Sequence, residues 1–331
     1  MTDFSREFPI KCLTPTVLKE NRWFTDLLRR WHPAGDAVNS RLGDGKGVLA
    51  RDRVSNKGEF QHLRVAFRKD YMNFYCGGQS IAKVEFVRDE LRAKIHEKYV
   101  YGVKGTGEHY VTLTSVGFPE HGTGRLVAYD DQHLKRWIEN ANGKIGQEKR
   151  FVDLIVAQNS NVIDLEMGLP AYSEKRHAPR IDLLVLEPCQ GWWQVASWEV
   201  KLVGDGRARC RGNKLPEVVD QLNHYTDWLS DSDRAKSVAE AYQENCRLFV
   251  GLHKIVRDIR PDIEELGPAI RAVAASNATA PFIDVKPRLL IIYDKDDKSF
   301  RENGHFDKLK DDGWTVQIVE SLSEVALRGQ S

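Results

Sequence analysis

The sequence predicts an α+β or α/β chain: a mixed central sheet flanked by helices over residues 126–331, preceded by an antiparallel β-rich unit over residues 1–125. Three observations carry this. Four short alternating runs lie between Leu63 and His96, separated by turn residues. Two long apolar runs, Arg180 to Leu186 and Trp192 to Lys201, bracket Glu187-Pro188-Cys189-Gln190-Gly191, whose Pro and Gly mark a turn. Beyond Pro216, helical periodicity alternates with buried-type strands, the signature of a layered sheet.

In the first unit the predicted strands are Leu63 to Arg68, Tyr71 to Cys76, Ser80 to Phe86 and Leu91 to His96. Lys69-Asp70, Gly77-Gly78 and Arg88-Asp89-Glu90 turn between them. Leu63, Val65 and Phe67 alternate with Arg64 and Arg68, and Leu91, Ala93 and Ile95 with Arg92, Lys94 and His96. Tyr99 to Val103 and Tyr110 to Leu113 extend the set to an antiparallel meander, read as a small independent domain. Its outward Arg and Lys, interleaved with acids and aromatics, are expected to form a solvated sheet face, the alternative being a surface that guides DNA. Gly43-Asp44-Gly45-Lys46-Gly47 is too short and wrongly spaced for a phosphate-binding loop.

The second unit opens with a helix over Ile145 to Val156, in which Glu148, Phe151, Val152 and Ile155 fall at i, i+3, i+4 and i+7. Glu148 therefore shares the apolar face, although a first-turn glutamate is also favoured by the helix dipole. The hairpin follows. Folded about residues 190 and 191, it sets Asp182 opposite Glu199, and strand alternation puts Glu199 and Lys201 on one face with Val200 on the other. Two carboxylates and an ammonium then meet on a sheet otherwise built of Val, Leu and Trp. Such charges are costly to bury unless a cation or ligand joins them, the bland alternative being a salt bridge on a solvated face. Asp44-Gly45-Lys46, Asp284-Val285-Lys286 and Asp296-Asp297-Lys298 also read acid-x-Lys, but none has an opposing acid on a preceding apolar strand.

Pro216 suits the first turn of a helix running to about Leu229, with Val218, Gln221, Leu222, Tyr225 and Leu229 as its inner stripe. Gln221 on that stripe requires a hydrogen-bond partner. A helix near Asp233 to Asn245, a strand Arg247 to Leu252, a helix around Ile263 to Ala275, a strand Arg288 to Tyr293, a helix near Phe306 to Lys310 and a strand Trp314 to Val319 complete the chain. Basic residues cluster on both approaches to the hairpin: Lys175, Arg176, His177 and Arg180 before it, and Arg207, Arg209, Arg211 and Lys214 after it, the latter opposed only by Asp205. Such cations suit phosphate contacts, though a solvated loop is charged too.

Oxygen ligands around a hard divalent cation, with a lysine beside the attacked phosphate, are what a metal-ion phosphodiesterase needs. At Ile181-Asp182 and Glu199-Val200-Lys201 the chain resembles the PD-(D/E)xK nuclease superfamily, the restriction-endonuclease-like fold, with Ile181 in place of the motif's proline. Gln221 and Tyr225, about twenty residues on, resemble the Q-x-x-x-Y helix of its RecB-like branch. The resemblance spans roughly residues 135 to 255 and implies a core of helix, three strands, helix and strand. It implies Mg²⁺ or Mn²⁺ held by Asp182, Glu199, the Val200 carbonyl and Glu148, with Lys201 assisting the attacking water and Gln221 and Tyr225 bracing the site. DNA is the implied substrate, with RNA left open. An inactive nucleic-acid-binding module of the same fold, or a protein-interaction scaffold, is the competing expectation.

Composition sets outer bounds. With 331 residues, 41% hydrophobic and 29% charged, the chain has the make-up of a soluble globular protein. A net charge of +1 means that any nucleic-acid binding rests on local basic strips. Five scattered cysteines, with no metal-site spacing, fit reduced thiols in a cytoplasmic setting. No run of about eighteen apolar residues suggests a membrane span, and a homo-oligomer or an accessory subunit is compatible with this make-up.

Overall fold

The computed structural model describes residues 4–35, 62–104, 107, 109–170, 180–212, 214–292, 298–320 and 325–327. Two short helices, α1 (Pro15–Glu20) and α2 (Arg22–Arg29), lead into a five-stranded antiparallel sheet in simple sequential order. Its strands are β1 (Arg64–Phe67), β2 (Tyr71–Cys76), β3 (Gln79–Val87), β4 (Glu90–His96) and β5 (Tyr110–Leu113). The turn residues sit where the alternation breaks, and Arg88 and Asp89 both adopt positive φ between β3 and β4. The expected strand Tyr99 to Val103 is instead a helical turn, α3 (Glu97–Val100). His96 Nδ1 accepts the Lys98 N–H at 3.1 Å and starts the turn, so the neighbours Tyr99 and Val100 are both buried. Alternation would have buried only one of them.

A minor hairpin, β6 (Phe118–Pro119) with β7 (Leu126–Val127), precedes α4 (Asp131–Asn142) and α5 (Gln147–Gln158). Asp130 caps α4 by accepting from Gln132 and His133 N–H, while His133 returns a contact to the Asp130 backbone. The second sheet runs β13-β12-β10-β9-β8 and is mixed. It comprises β8 (Val162–Gly168), β9 (Arg180–Cys189), β10 (Trp192–Leu202), β11 (Phe282–Ile283), β12 (Arg288–Ile292) and β13 (Val316–Val319). β8, β9 and β10 form an antiparallel meander, whereas β11 and β12 join β10 in parallel and β13 joins β12 in parallel. The helices are α6 (Glu217–Leu229), α7 (Ser232–Ile259), α8 (Pro268–Ala274), α9 (Ser299–Glu302) and α10 (His305–Asp311). The mixed sheet flanked by helices is thus present, as is the antiparallel N-terminal sheet.

Residues 247–252 do not form the expected strand, because α7 continues unbroken through them. Leu248, Phe249, Leu252 and Val256 are buried while Val250 is exposed, a spacing that a helix satisfies and a strand does not. Phe249 stacks on Trp31, with ring centroids 6.1 Å apart, and meets Phe67 edge-on at 5.1 Å.

Arg64 and Arg68 are also not outward. Both are buried, because they meet carboxylates of the second unit, Asp153 on α5 and Asp164 on β8. Arg68 Nη1 reaches Asp164 at 2.6 Å, and Asp164 also binds Arg6 at 3.0 Å and the Tyr242 hydroxyl at 2.7 Å. Arg64 Nε lies 3.4 Å, and His62 Nε2 2.6 Å, from Asp153. One hydrophobic cluster, from Phe4 through Phe74 and Leu184 to Trp314, joins the two sheets, so the core does not stop at residue 125.

Candidate active site

The hairpin that carries the acids turns on Gln190 and Gly191, both with positive φ (+48° and +84°). Two left-handed residues match the twist of the flanking strands, and glycine takes the second without steric cost. Cys189 and Trp192 face each other across this turn, and the register runs to Leu183 opposite Trp198. One step further, Asp182 comes opposite Glu199. There the ladder gives way to a side chain: Asp182 Oδ2 accepts the Val200 N–H at 2.8 Å.

Alternation places the charges. Trp198 and Val200 enter the apolar layer beneath α5, with Phe151 and Ile155. Glu199 and Lys201 face the other way, toward α6, and are almost fully buried at 2% and 3% side-chain exposure. The Lys201 ammonium donates to Glu199 Oε1 and, at 3.0 Å, to the Val200 carbonyl, and lies 3.9 Å from Asp182 Oδ2. Burial, followed by the charge of Glu199, pushes the Asp182 carboxyl well above its usual range. Burial also raises Glu199, although Lys201 partly offsets it. Burial opposes the charge on Lys201, but Glu199 and Asp182 outweigh it and hold the ammonium firmly protonated.

α6 braces this patch. Proline at its N-cap and Glu217 and Asp220 in its first turn begin the helix, and Val218, Leu222, Tyr225 and Leu229 are its buried stripe. Gln221 Nε2 donates to the Tyr225 hydroxyl oxygen and, at 3.3 Å, to the Arg180 carbonyl. The single proton of the Tyr225 hydroxyl has two acceptors within reach, the Arg180 carbonyl and, at 3.2 Å, Glu199 Oε2. The partner that Gln221 requires is therefore its own helix neighbour and the strand that holds Asp182.

Glu148 stands in the first turn of α5, half-buried, with its carboxylate 3.9 Å from the Arg207 guanidinium. Its charge acts on both Glu199 and Lys201. The basic loop is less free than its composition suggests. Arg207 clasps Asp205 through contacts of 2.6 and 3.1 Å, and Arg209 is anchored on the Val203 carbonyl at 3.0 Å and on Ser299 Oγ at 2.9 Å. Arg211 and Lys214 are exposed. Arg180 is exposed at the start of β9, and Lys175, Arg176 and His177 lie outside the described residues. The competing Asp284-Val285-Lys286 is spent elsewhere, Asp284 on Arg288 at 2.8 Å and Lys286 on the Gly313 carbonyl at 2.5 Å.

One acid near the site has no signal in the sequence pattern. Glu166 of β8 lies between the pairs Leu165–Leu183 and Met167–Ile181, which sets it beside Asp182 across the strands. It adopts φ +51°, uncommon for a residue with a Cβ, and its charge contributes to raising Asp182. Lys149 holds it at 3.1 Å. Only its flanking pairs in the β8–β9 ladder reveal it.

Among the described residues no three His, Cys, Asp or Glu side chains converge as a metal-binding group. The donor chemistry of Asp182, Glu199 and the Val200 carbonyl nonetheless suits a hard cation. One buried and one partly exposed carboxyl group meet a single ammonium, so the patch offers more acid oxygens than its own lysine can satisfy. The chain matches no family model, no curated protein and no solved structure.

Proposed function

We propose that this protein is a metal-dependent nuclease whose site is the Asp182, Glu199 and Lys201 patch. One observation carries the reading: two acids from neighbouring strands and one lysine meet on a single sheet face, Glu199 and Lys201 buried and Asp182 partly so, two carboxyls to one ammonium. Asp182, Glu199 and the Val200 carbonyl would hold Mg²⁺ or Mn²⁺, aided by Glu148. The ion supplies charge neutralisation at the phosphate and a more acidic water.

The chain's own groups have separate tasks. Lys201, kept as an ammonium, orients the attacking water and offsets charge that develops on the phosphate. Tyr225 and Gln221 fix Glu199 and the Arg180 end of β9, so that the acids keep their geometry when Lys201 shifts toward substrate. The run α5, β8, β9, β10, α6 agrees with the first five elements of the core that the motif implies, whereas the closing strand expected at 247–252 is part of α7 and the next strand to join β10 in parallel comes only after α7 and α8.

A second reading is favoured by one contact. Lys201 already bonds the Glu199 and Val200 oxygens, as in a self-neutralised, inactive nucleic-acid-binding module. Incubating purified protein with plasmid and linear DNA, with magnesium, manganese or EDTA, separates the two. Cleavage that needs the metal and disappears in Asp182→Ala supports the nuclease. Equal cutting by this variant removes the site assignment, and binding without cutting leaves the inactive module.

A further inference from the structure

We propose that the open face of the N-terminal sheet is a groove for single-stranded nucleic acid that leads to Asp182. The proposal rests on the nuclease reading only for what happens at the groove's end; the binding stands on its own observations. A cavity of about 610 Å³ lies along this face and is continuous from β4 and β5 to Lys149, Glu166 and Arg180. Arg180 is two residues from Asp182, and Glu166 is its cross-strand neighbour. The groove's lining therefore reaches the strand neighbours of Asp182 and stops one residue position short of it.

Its lining has the two chemistries that a single strand needs. Lys83, Lys94, Lys98, Lys149 and Arg180 supply cationic heads. Lys83 and Lys94 lie directly opposite each other across β3 and β4, an unfavourable like-charge pair, and share the single carboxylate of Glu85 at 3.1 and 2.7 Å. Arg68, the sixth cation of the lining, is held by Asp164; with Glu166 beside Lys149, the other five meet two carboxylates, and the excess positive charge suits a chain of phosphates.

Aromatic rings stand among these cations. Tyr110 is 54% exposed, and the His96 ring meets it with centroids 5.4 Å apart. Lys83 sits 4.1 Å over the Tyr71 ring, and Lys98 4.9 Å over Tyr99. Burial and the charge of Lys98 hold the His96 imidazole below its usual range, so the ring stays neutral. It accepts from Lys98 N–H on one nitrogen and contacts the Gly107 carbonyl at 3.0 Å with the other. A neutral ring beside an exposed tyrosine offers stacking faces, which only unpaired bases can use. An acidic peptide would use the cations and leave the rings idle.

The test is a binding titration of the full chain in EDTA, by fluorescence anisotropy. The probes are a labelled oligothymidylate, the matching oligouridylate, a duplex of equal length and a polyglutamate peptide. The single strands should bind more tightly than the duplex and the peptide, the preferred sugar identifying DNA or RNA. Tyr110→Ala should weaken single-strand binding by about fivefold or more. Lys98→Gln should reduce the slope of log affinity against log salt by about 0.7. Both side chains lie at the surface, and thermal melting of each variant checks its fold. If one does not fold, the other carries the test. Unchanged single-strand binding in the folded variants, no binding at all, or equal binding of duplex or peptide overturns the proposal. Cleavage assayed in parallel with magnesium keeps the two readings apart. Groove-dependent binding without any cutting defeats the nuclease alone, whereas cutting with variant-insensitive binding defeats the groove alone.

Discussion

Asp182 contributes charge, a backbone hydrogen bond and position at once, and substitution can separate these. Asp182→Asn retains an oxygen for the Val200 N–H but removes one of the two negative charges facing Lys201. Because both carboxyls are raised in the folded protein, their ionisation costs stability that sets in as pH rises above about 4 and is complete above their folded values. In EDTA at neutral pH, Asp182→Asn should melt higher than wild type, while cleavage falls by at least about a hundredfold. Added manganese should raise the wild-type melting temperature and leave the variant unmoved, as scanning fluorimetry would show. A wild type that manganese does not stabilise argues against the cation site. Tyr225→Phe deletes the hydroxyl that links α6 to Glu199 and Arg180, and should lower stability by about 1 kcal/mol in urea denaturation while leaving the fold intact.

At the scale of elements, the hairpin shows how far local pattern reaches. Period-two alternation and the Gln190-Gly191 turn suffice to bring Asp182 opposite Glu199 and to turn Val200 away. The α6 stripe was equally legible, since Gln221 and Tyr225 lie one turn apart on its inner side. β1 was not. Arg64 and Arg68, at its two ends, obey the alternation and read as solvent-facing, yet their partners, Asp153 and Asp164, lie 89 and 96 residues away in sequence. No local rule sees such a partner. The α7 segment failed for a related reason: a short apolar run fits a strand or a helix, and packing on Trp31 and Phe67 decided it. Replacing Arg68 with Met should cost about 3–5 kcal/mol, because it leaves a buried carboxylate short of one of its two cations. Urea denaturation of the variant would read this directly. A loss within experimental error would mean that Arg6 and Tyr242 alone satisfy Asp164.

At the scale of the whole molecule, buried ion pairs and a continuous core tie the N-terminal sheet to the mixed sheet. Burial pushes the Asp153 carboxyl up, but His62 and Arg64 outweigh it and hold it down to about 2, and Arg68 and Arg6 likewise depress Asp164. A depressed carboxyl contributes stability above its unfolded value, near pH 4, and loses it as pH falls toward the folded value. Unfolding free energies from urea denaturation should therefore drop steeply between pH 4 and pH 2, by on the order of 2 kcal/mol from Asp153 alone. For the same reason residues 126–331 alone should lack a cooperative thermal transition, since Asp153 would lose both His62 and Arg64 and Asp164 would keep only Tyr242. A sharp calorimetric transition in that fragment would show a core that closes without the first sheet.

The sequence by itself determined what repeats at short range. Strand alternation, turn residues and helix stripes named the meander, the hairpin, the acid-x-lysine face and its bracing helix. Only the tertiary structure decided which face of β1 was inside, that 247–252 is helical, that Glu166 stands beside Asp182, and that the lysines and tyrosines of the first sheet line one groove that reaches the strand neighbours of Asp182. The physical reason is range. Backbone geometry fixes the direction of a side chain within a strand or helix, whereas burial and charge compensation depend on groups that only the folded chain brings together.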